Sequence, residues 1–124
     1  MDIMIVEDNP MILRSLVHTF SNSQYKVHAA IDGMQAKEVY EEIKPSIVIS
    51  DVMLPYLTGL ELIEYIRETE QEYTKILLLS SMSLENDIVQ AFDIGADDYM
   101  TKPYISSELM MRVRRLEKYS IAKN

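Results

Sequence analysis

The chain has 124 residues, enough for one domain with a real core. Apolar residues make up 48% of it and formal net charge is -8, so it is globular and ill suited to lie against a phosphate backbone. Cysteine is absent, which excludes disulfides, cysteine-ligated zinc and iron–sulfur sites.

The first predicted strand is Ile3–Val6, ending in Glu7-Asp8. Asn9 caps a helix with Pro10 in its first turn, and Leu13, Leu16, Val17 and Phe20 form its apolar face up to Ser21-Asn22-Ser23. Lys26–Ala30 reads as a weak second strand. Asp32-Gly33 breaks the chain, and Met34–Ile43 is a second helix with Ala36, Val39, Tyr40 and Ile43 on one face. Lys44-Pro45 stops it.

Ser46–Ser50 is the third strand and delivers Asp51 at its end. After Pro55 and Tyr56, Thr58 caps a third helix lined by Leu60, Ile63 and Ile66, reaching about Glu70. Lys75–Leu79 is the most continuous aliphatic run, a central-strand signature, and leads into Ser80-Ser81. Leu84-Glu85-Asn86-Asp87 starts a fourth helix, which Gly95-Ala96 closes. Asp98-Tyr99-Met100 is a very short fifth strand before Thr101-Lys102-Pro103. The last helix begins at a Ser106 cap, buries Leu109, Val113 and Leu116, and reaches about Tyr119.

Strand and helix alternate five times, which predicts an α/β fold: a doubly wound (βα)5 sandwich, its parallel sheet covered on both faces. The domain is read as 1–119, with 120–124 a tail or the start of a linker. Arg112, Arg114, Arg115 and Lys118 read as a solvated helix face, not a nucleic-acid surface. His18 and His28 read as surface residues. The apolar runs are too short to cross a membrane, and Met1-Asp2-Ile3 enters a strand directly, so a cytoplasmic protein is expected.

Polar residues collect at the strand ends: Glu7 and Asp8, Asp51, Ser80 and Lys102. Open α/β folds place their chemistry at this edge. Clustered carboxylates repel unless a cation lies among them, and oxygen donors without histidine or cysteine favour Mg2+, with Mn2+ an alternative. Lys102 supplies a cation for an incoming anion and Ser80 a hydroxyl. The set fits a phosphoryl group, with Asp51 as the attacking oxygen.

Glu7-Asp8, Asp51-x-x-x-Pro55-x-x-x-Gly59, Ser80-Ser81 and Gly95-Ala96-Asp97-Asp98-Tyr99-x-x-Lys102-Pro103 together resemble the receiver domain of two-component response regulators, across essentially the whole chain. The resemblance implies a flavodoxin-like fold with strand order 2-1-3-4-5. It implies that Asp51 takes a phosphoryl group from a sensor histidine kinase or phosphotransfer protein. Asp8, Asp51 and the Met53 carbonyl would hold the metal, with Glu7 acting through water. Lys102 and Ser80 would engage the phosphoryl group and Tyr99 would turn inward, changing the face of helix four, strand five and helix five. Such a domain catalyses its own phosphorylation and slow hydrolysis, but its main output is conformational.

The segment from Asp97 to Val113 resembles receivers that precede winged-helix DNA-binding domains. There, Asp97, Asp98, Glu108, Arg112 and Arg115 would form inter-subunit ion pairs in a phosphorylation-dependent homodimer, around Val89, Phe92 and Met110. Ile88 occupies the position that usually holds a basic partner for Glu108. Of nine methionines, Met82, Met100, Met110 and Met111 fall near this face. Met11, Ile12, Pro103 and Tyr104 would dock the kinase. The domain is read as part of a longer transcription regulator. The alternatives are a stand-alone receiver acting by protein–protein interaction or phosphorelay, and a non-phosphorylated scaffold. With three glycines there is no Gly-rich phosphate loop, and Met53 replaces the second acid that a turnover phosphatase of this type needs.

Overall fold

The computed structural model describes residues 1–21, 24–69, 73–81 and 85–122. Asn22, Ser23, Glu70, Met82 and Leu84, all used above, lie outside the described residues, as do the last two residues of the chain. In chain order the elements are β1 (Asp2–Val6), α1 (Pro10–Ser21), β2 (Lys26–Ala30), α2 (Gly33–Ile43), β3 (Ile47–Asp51), α3 (Gly59–Thr69), β4 (Lys75–Ser80), α4 (Glu85–Asp93), β5 (Asp98–Thr101) and α5 (Ser106–Ala122).

The five strands form one parallel sheet in the order β2-β1-β3-β4-β5. Because side chains alternate across a strand, each central strand feeds two cores. Met4, Val6, Val48, Ile76 and Leu78 pack with α2, α3 and α4 residues such as Tyr40, Ile63 and Ala91. Ile3, Ile5, Ile47, Ile49, Leu77 and Leu79 pack on the other side with Leu16 and Phe20 of α1 and Leu109 and Val113 of α5. Burial on both faces is why β3 and β4 read as unbroken aliphatic runs.

Local chemistry explains the boundaries. Asp32 caps α2 by accepting from the Gln35 N–H at 2.8 Å. Thr58 and Glu61 exchange side-chain-to-backbone hydrogen bonds of 3.2 and 3.0 Å, a capping box that starts α3. Lys44 ends α2 in the left-handed region at φ 53°, its N–H donating to the Tyr40 carbonyl.

Four details depart from the sequence expectation. Leu62 joins Ile63 and Ile66 on the buried face of α3, with Leu60 packed partly buried against the same core. The carbonyl of Ile105 accepts from the Glu108 and Leu109 N–H groups, so the chain caps α5 one residue before Ser106. α5 also continues to Ala122, past the expected end at Tyr119. His28 is no open surface residue: its Nε2 lies 2.9 Å from Asp2 Oδ1 and its side chain is largely covered. Among the described residues no helix is long and apolar enough to cross a membrane.

Candidate functional site

Parallel strands end at the same edge, so the residues that follow them meet. Glu7 leaves β1 with its N–H on the Ala30 carbonyl at 3.1 Å. Asp51 is the last residue of β3, paired in register with Leu79 of β4. Lys102 follows β5, its N–H held by the Ser80 carbonyl at 2.7 Å. These backbone anchors bring three side chains together. Lys102 Nζ donates to Asp51 Oδ2 at 2.8 Å and to Glu7 Oε1 at 3.1 Å.

The remaining carboxylate oxygens are also engaged. Glu7 Oε2 accepts from the Asn9 N–H at 3.1 Å, and Asp51 Oδ1 from the Met53 N–H at 3.2 Å. Glu7 is 2% and Asp51 7% exposed. Asp8 stands beside them, exposed, and one oxygen from each of Glu7, Asp8 and Asp51 lies within 4.8 Å of the others. Burial pushes the Glu7 carboxyl above its usual range, while hydrogen bonds from Asn9 and Lys102 and the charge of Lys102 pull against it. Burial acts to depress the Lys102 ammonium, but hydrogen bonds to Asp51 and Glu7 outweigh it and leave its pKa raised. Burial also raises the Tyr104 phenol, which feels Lys102, Glu7 and Asp51.

A buried acid cluster with one exposed member suits a divalent cation. The donors are all oxygen, and three carboxylates share a single ammonium. The structure thus presents a cluster able to coordinate such an ion. Gly59 sustains the mouth: its N–H donates to the Val52 carbonyl at 2.8 Å, and a Cβ at this position would overlap the Asp51 carbonyl oxygen. The final glycine of the Asp51-to-Gly59 motif therefore has a steric cause. Two contributions were not read from sequence. Ser50 Oγ donates to the Asp51 carbonyl at 2.9 Å, and the Asn9 backbone holds Glu7. The only signals for them were a serine before the aspartate and a cap after the acid pair.

Ser80 is completely buried at the end of β4, one residue beyond Asp51's partner in the sheet, and Ser81 is exposed. Tyr99 lies opposite Leu78 on β5, half-buried against the α2–α3–α4 core. Met11 is exposed at the start of α1, Ile12 is half-buried, Pro103 is exposed and Tyr104 is half-buried. The Lys102–Pro103 peptide bond is cis.

Residues 3–114 match the response regulator receiver domain family. The chain belongs to that family. Curated relatives of this receiver include the Bacillus subtilis alkaline phosphatase synthesis transcriptional regulatory protein PhoP, 37% identical over 92% of the chain and 47% of its own length. The Mycobacterium leprae response regulator MprA is 36% identical over 94% of the chain and 50% of its own length. The chain thus spans about half the length of the curated relatives it matches. Among solved structures, the Francisella response regulator 1452 receiver domain superposes with a TM-score of 0.90 at 26% identity, covering 96% of the chain and 98% of its own. The Vibrio cholerae chemotaxis protein CheY4 does so at 0.86 and 26% identity, covering 93% and 97%.

In this receiver, Asp98, Glu108, Arg112 and Arg115 of the α4–β5–α5 face pair with one another within the chain. Asp98 Oδ1 accepts from Arg112 Nη1 and from the Tyr99 N–H, both at 2.8 Å, and Arg115 Nη2 lies 3.6 Å from Oδ2. Glu108, which lines one cavity with Ile88, takes Arg112 Nη2 at 3.2 Å from its own helix. Asp97 is placed apart from that set. It binds Arg67 Nη2 and the Ile76 N–H, both at 2.8 Å. Val89 and Phe92 are exposed and Met110 is half-buried. Ile88, Phe92, Tyr99, Tyr104, Glu108 and Arg112 line a cavity of about 330 Å³.

Proposed function

We propose that Asp51 accepts a phosphoryl group from a phosphohistidine on a sensor histidine kinase or phosphotransfer protein, and that the aspartyl phosphate switches the α4–β5–α5 face. The observation that carries this is the Lys102 ammonium spanning Glu7 and the buried Asp51 at the strand ends. An Asp51 carboxylate oxygen attacks phosphorus. The phosphorus–nitrogen bond breaks, its electron pair leaves with the imidazole, and a phosphorus–oxygen bond forms.

Asp8, Asp51 and the Met53 carbonyl would hold Mg2+, with Glu7 acting through water, and Mn2+ would suit the same oxygens. When bound, the ion supplies positive charge against the phosphoryl oxygens. The chain's own residues do the rest. The Met53 N–H orients Asp51, and Lys102 moves from the carboxylate to the phosphoryl oxygens. Ser80 donates to the new group, and Tyr99 turns into the space that is vacated. A phosphoryl group adds roughly 1.5 to 2 negative charges, enough to bias two packings that differ little in energy. With Met53 two residues after Asp51 and no acid there, hydrolysis is slow and the group persists as a signal.

Met11, Ile12, Pro103 and Tyr104 form the kinase-facing surface. The α4–β5–α5 face, with Val89, Phe92, Met110 and the ion pairs around Asp98, Glu108, Arg112 and Arg115, supports a phosphorylation-dependent homodimer. Ile88 makes that contact more apolar, and Asp97 is engaged elsewhere. Relatives of twice this length, one named a transcriptional regulatory protein, favour a cytoplasmic regulator in which this receiver controls transcription through an attached DNA-binding domain. The domain itself does not bind nucleic acid.

Incubation with phosphoramidate and MgCl2, followed by intact mass, tests the phosphoacceptor. One phosphoryl mass is gained by the parent and none by Asp51→Asn. Labelling that survives the substitution would move the acceptor elsewhere.

A further inference from the structure

The outer side of α2 and α3 carries a groove that the phosphoacceptor site does not use. A cleft of about 600 Å³ lies there between Met34, Glu38, Glu41 and Glu42 of α2 and Tyr65 of α3. The Tyr65 phenol donates to Glu41 Oε1 at 2.7 Å, and Lys37 Nζ lies 4.5 Å from the centre of its ring. Tyr65 also meets Tyr40 edge to face, with ring centres 6.1 Å apart. These contacts hold the aromatic wall in one position. Met34, 54% exposed, supplies an apolar floor. Acids form the rim. Glu38, Glu41 and Glu42 are exposed, and so are Glu61, Glu64 and Glu68 along the adjoining α3.

α5 carries a surface of the opposite sign. Met111, Arg114, Arg115, Lys118 and Tyr119 are all exposed, at the helical spacing that sets them along one side. Met111 is 61% and Tyr119 59% exposed, so apolar ends flank a basic middle. Met34, Lys37, Glu38, Glu41 and Glu42 repeat the same spacing on α2. Among the described residues Arg114 and Lys118 enter no ion pair, and neither do Glu38 and Glu42. Their charges are left for something outside the chain. The two surfaces cannot meet within one molecule, because α2 and α3 cover one face of the sheet and α5 the other.

We infer that α5 of one copy docks on the α2–α3 groove of a second copy, a head-to-tail contact that needs no phosphoryl group. Each chain carries a net charge of -8, yet the two patches attract. Salt screens distant charge within about 8–10 Å, so the local signs decide. Met111 and Tyr119 bring apolar surface to Met34 and Tyr65, while Arg114 and Lys118 face the glutamates. Because the contact joins two different surfaces, it leaves one groove and one stripe open at the ends and can extend. Arg115 belongs both to this stripe and to the α4–β5–α5 dimer proposed above, so the two associations compete for α5. That competition rests on the dimer; the head-to-tail contact does not.

Sedimentation equilibrium of the unphosphorylated protein at low ionic strength tests the contact. The mean mass of the parent rises with concentration past that of a dimer. Salt at about 1 M, where the Debye length is about 3 Å, returns it to the monomer. A groove variant, Glu38→Lys with Glu42→Lys, and a stripe variant, Arg114→Glu with Lys118→Glu, each stay monomeric alone. Their equimolar mixture associates again, because each then meets a surface of opposite sign. A parent that stays monomeric at every concentration would overturn the contact. So would association that survives either charge reversal, or a mixture that stays monomeric. Association abolished by Phe92→Asp but by neither reversal would overturn it as well, and would place the contact on the α4–β5–α5 face.

Discussion

Lys102 Nζ lies 2.8 Å from Asp51 Oδ2, although 51 positions separate the two residues. The ammonium also holds Glu7 Oε1 at 3.1 Å. One cation therefore offsets two buried carboxylates, a balance that an added divalent ion or an incoming phosphoryl group would redistribute.

That balance predicts a pH dependence. Glu7 keeps its proton to higher pH in the folded chain than its ordinary value of 4.5. As pH rises from near 4.5 through the raised value, the unfolded chain ionises first, so the folded state binds more protons and this group's contribution to stability falls. Lys102 works in the other direction of charge. Its raised pKa gives stability that is fully present below its ordinary 10.5 and is lost as pH climbs through the folded value. Urea unfolding across pH should show stability falling more steeply with rising pH above the ordinary Glu7 value of 4.5 in the parent than in Glu7→Gln. Parallel curves would refute the Glu7 assignment.

Cation binding should depend on Asp8. It is the exposed member of the acid cluster, and no carboxylate oxygen on Glu7 or Asp51 is without a protein partner. Mg2+ should raise the melting temperature of the parent, since an ion that binds the folded state stabilises it. Asp8→Asn should weaken that response about tenfold or more in apparent affinity. Identical titrations would place the ion elsewhere.

Arg67 should be among the costliest surface-proximal positions to change. Its guanidinium donates to the Gly95 carbonyl from Nε and Nη2, to the Thr74 carbonyl at 2.6 Å and to Asp97 at 2.8 Å. This ties α3 to the start of β4 and to the loop before β5. A lysine cannot reproduce the planar fork. Arg67→Lys should cost about 2–4 kcal/mol in urea unfolding, because partly buried acceptors lose their donors. A loss below about 0.5 kcal/mol, the range of neutral surface changes, would refute the staple.

Tyr25 joins the far end of α5 to the start of β2. Its phenol donates to Glu117 Oε1 at 2.6 Å, and burial followed by that hydrogen bond raises its pKa. Tyr25→Phe should lower stability by about 1 kcal/mol, the net worth of one such bond. Hydrogen exchange in the last turns of α5 should accelerate with it. Unchanged exchange there would show that α5 is held without this contact.

Much of the fold was legible because its signals are local. β3 and β4 are buried on both faces, so their aliphatic runs announce central strands. Thr58 caps α3 through an atom three residues away, a cap that reads directly from sequence, and Asp32, read only as a break in the chain, caps α2 at the same spacing. The Ser106 cap failed because Ile105 supplies its backbone carbonyl, which any residue can do. Leu62 was missed and Leu60 is only partly buried because the exact facing of α3 depends on what packs against it. His28 was misread because its partner, Asp2, sits on the neighbouring strand 26 positions away.

By itself the sequence determined the α/β alternation and the strand-end position of each acid, serine and lysine, since chain order and hydrophobic period carry that information. Only the tertiary structure decided which charges pair. Ion pairs form between residues brought close by parallel strands and crossovers, and their choice depends on angstrom-scale placement that no spacing encodes. Asp97 turns to Arg67 while Asp98, its neighbour, turns to Arg112. Glu108 finds Arg112 on its own helix in place of a residue at 88. Lys102 reaches both Glu7 and Asp51 because β1, β3 and β5 end at one edge. The left-handed angle at Tyr56 belongs to this second class: it arises from the path between β3 and α3, not from any preference of tyrosine.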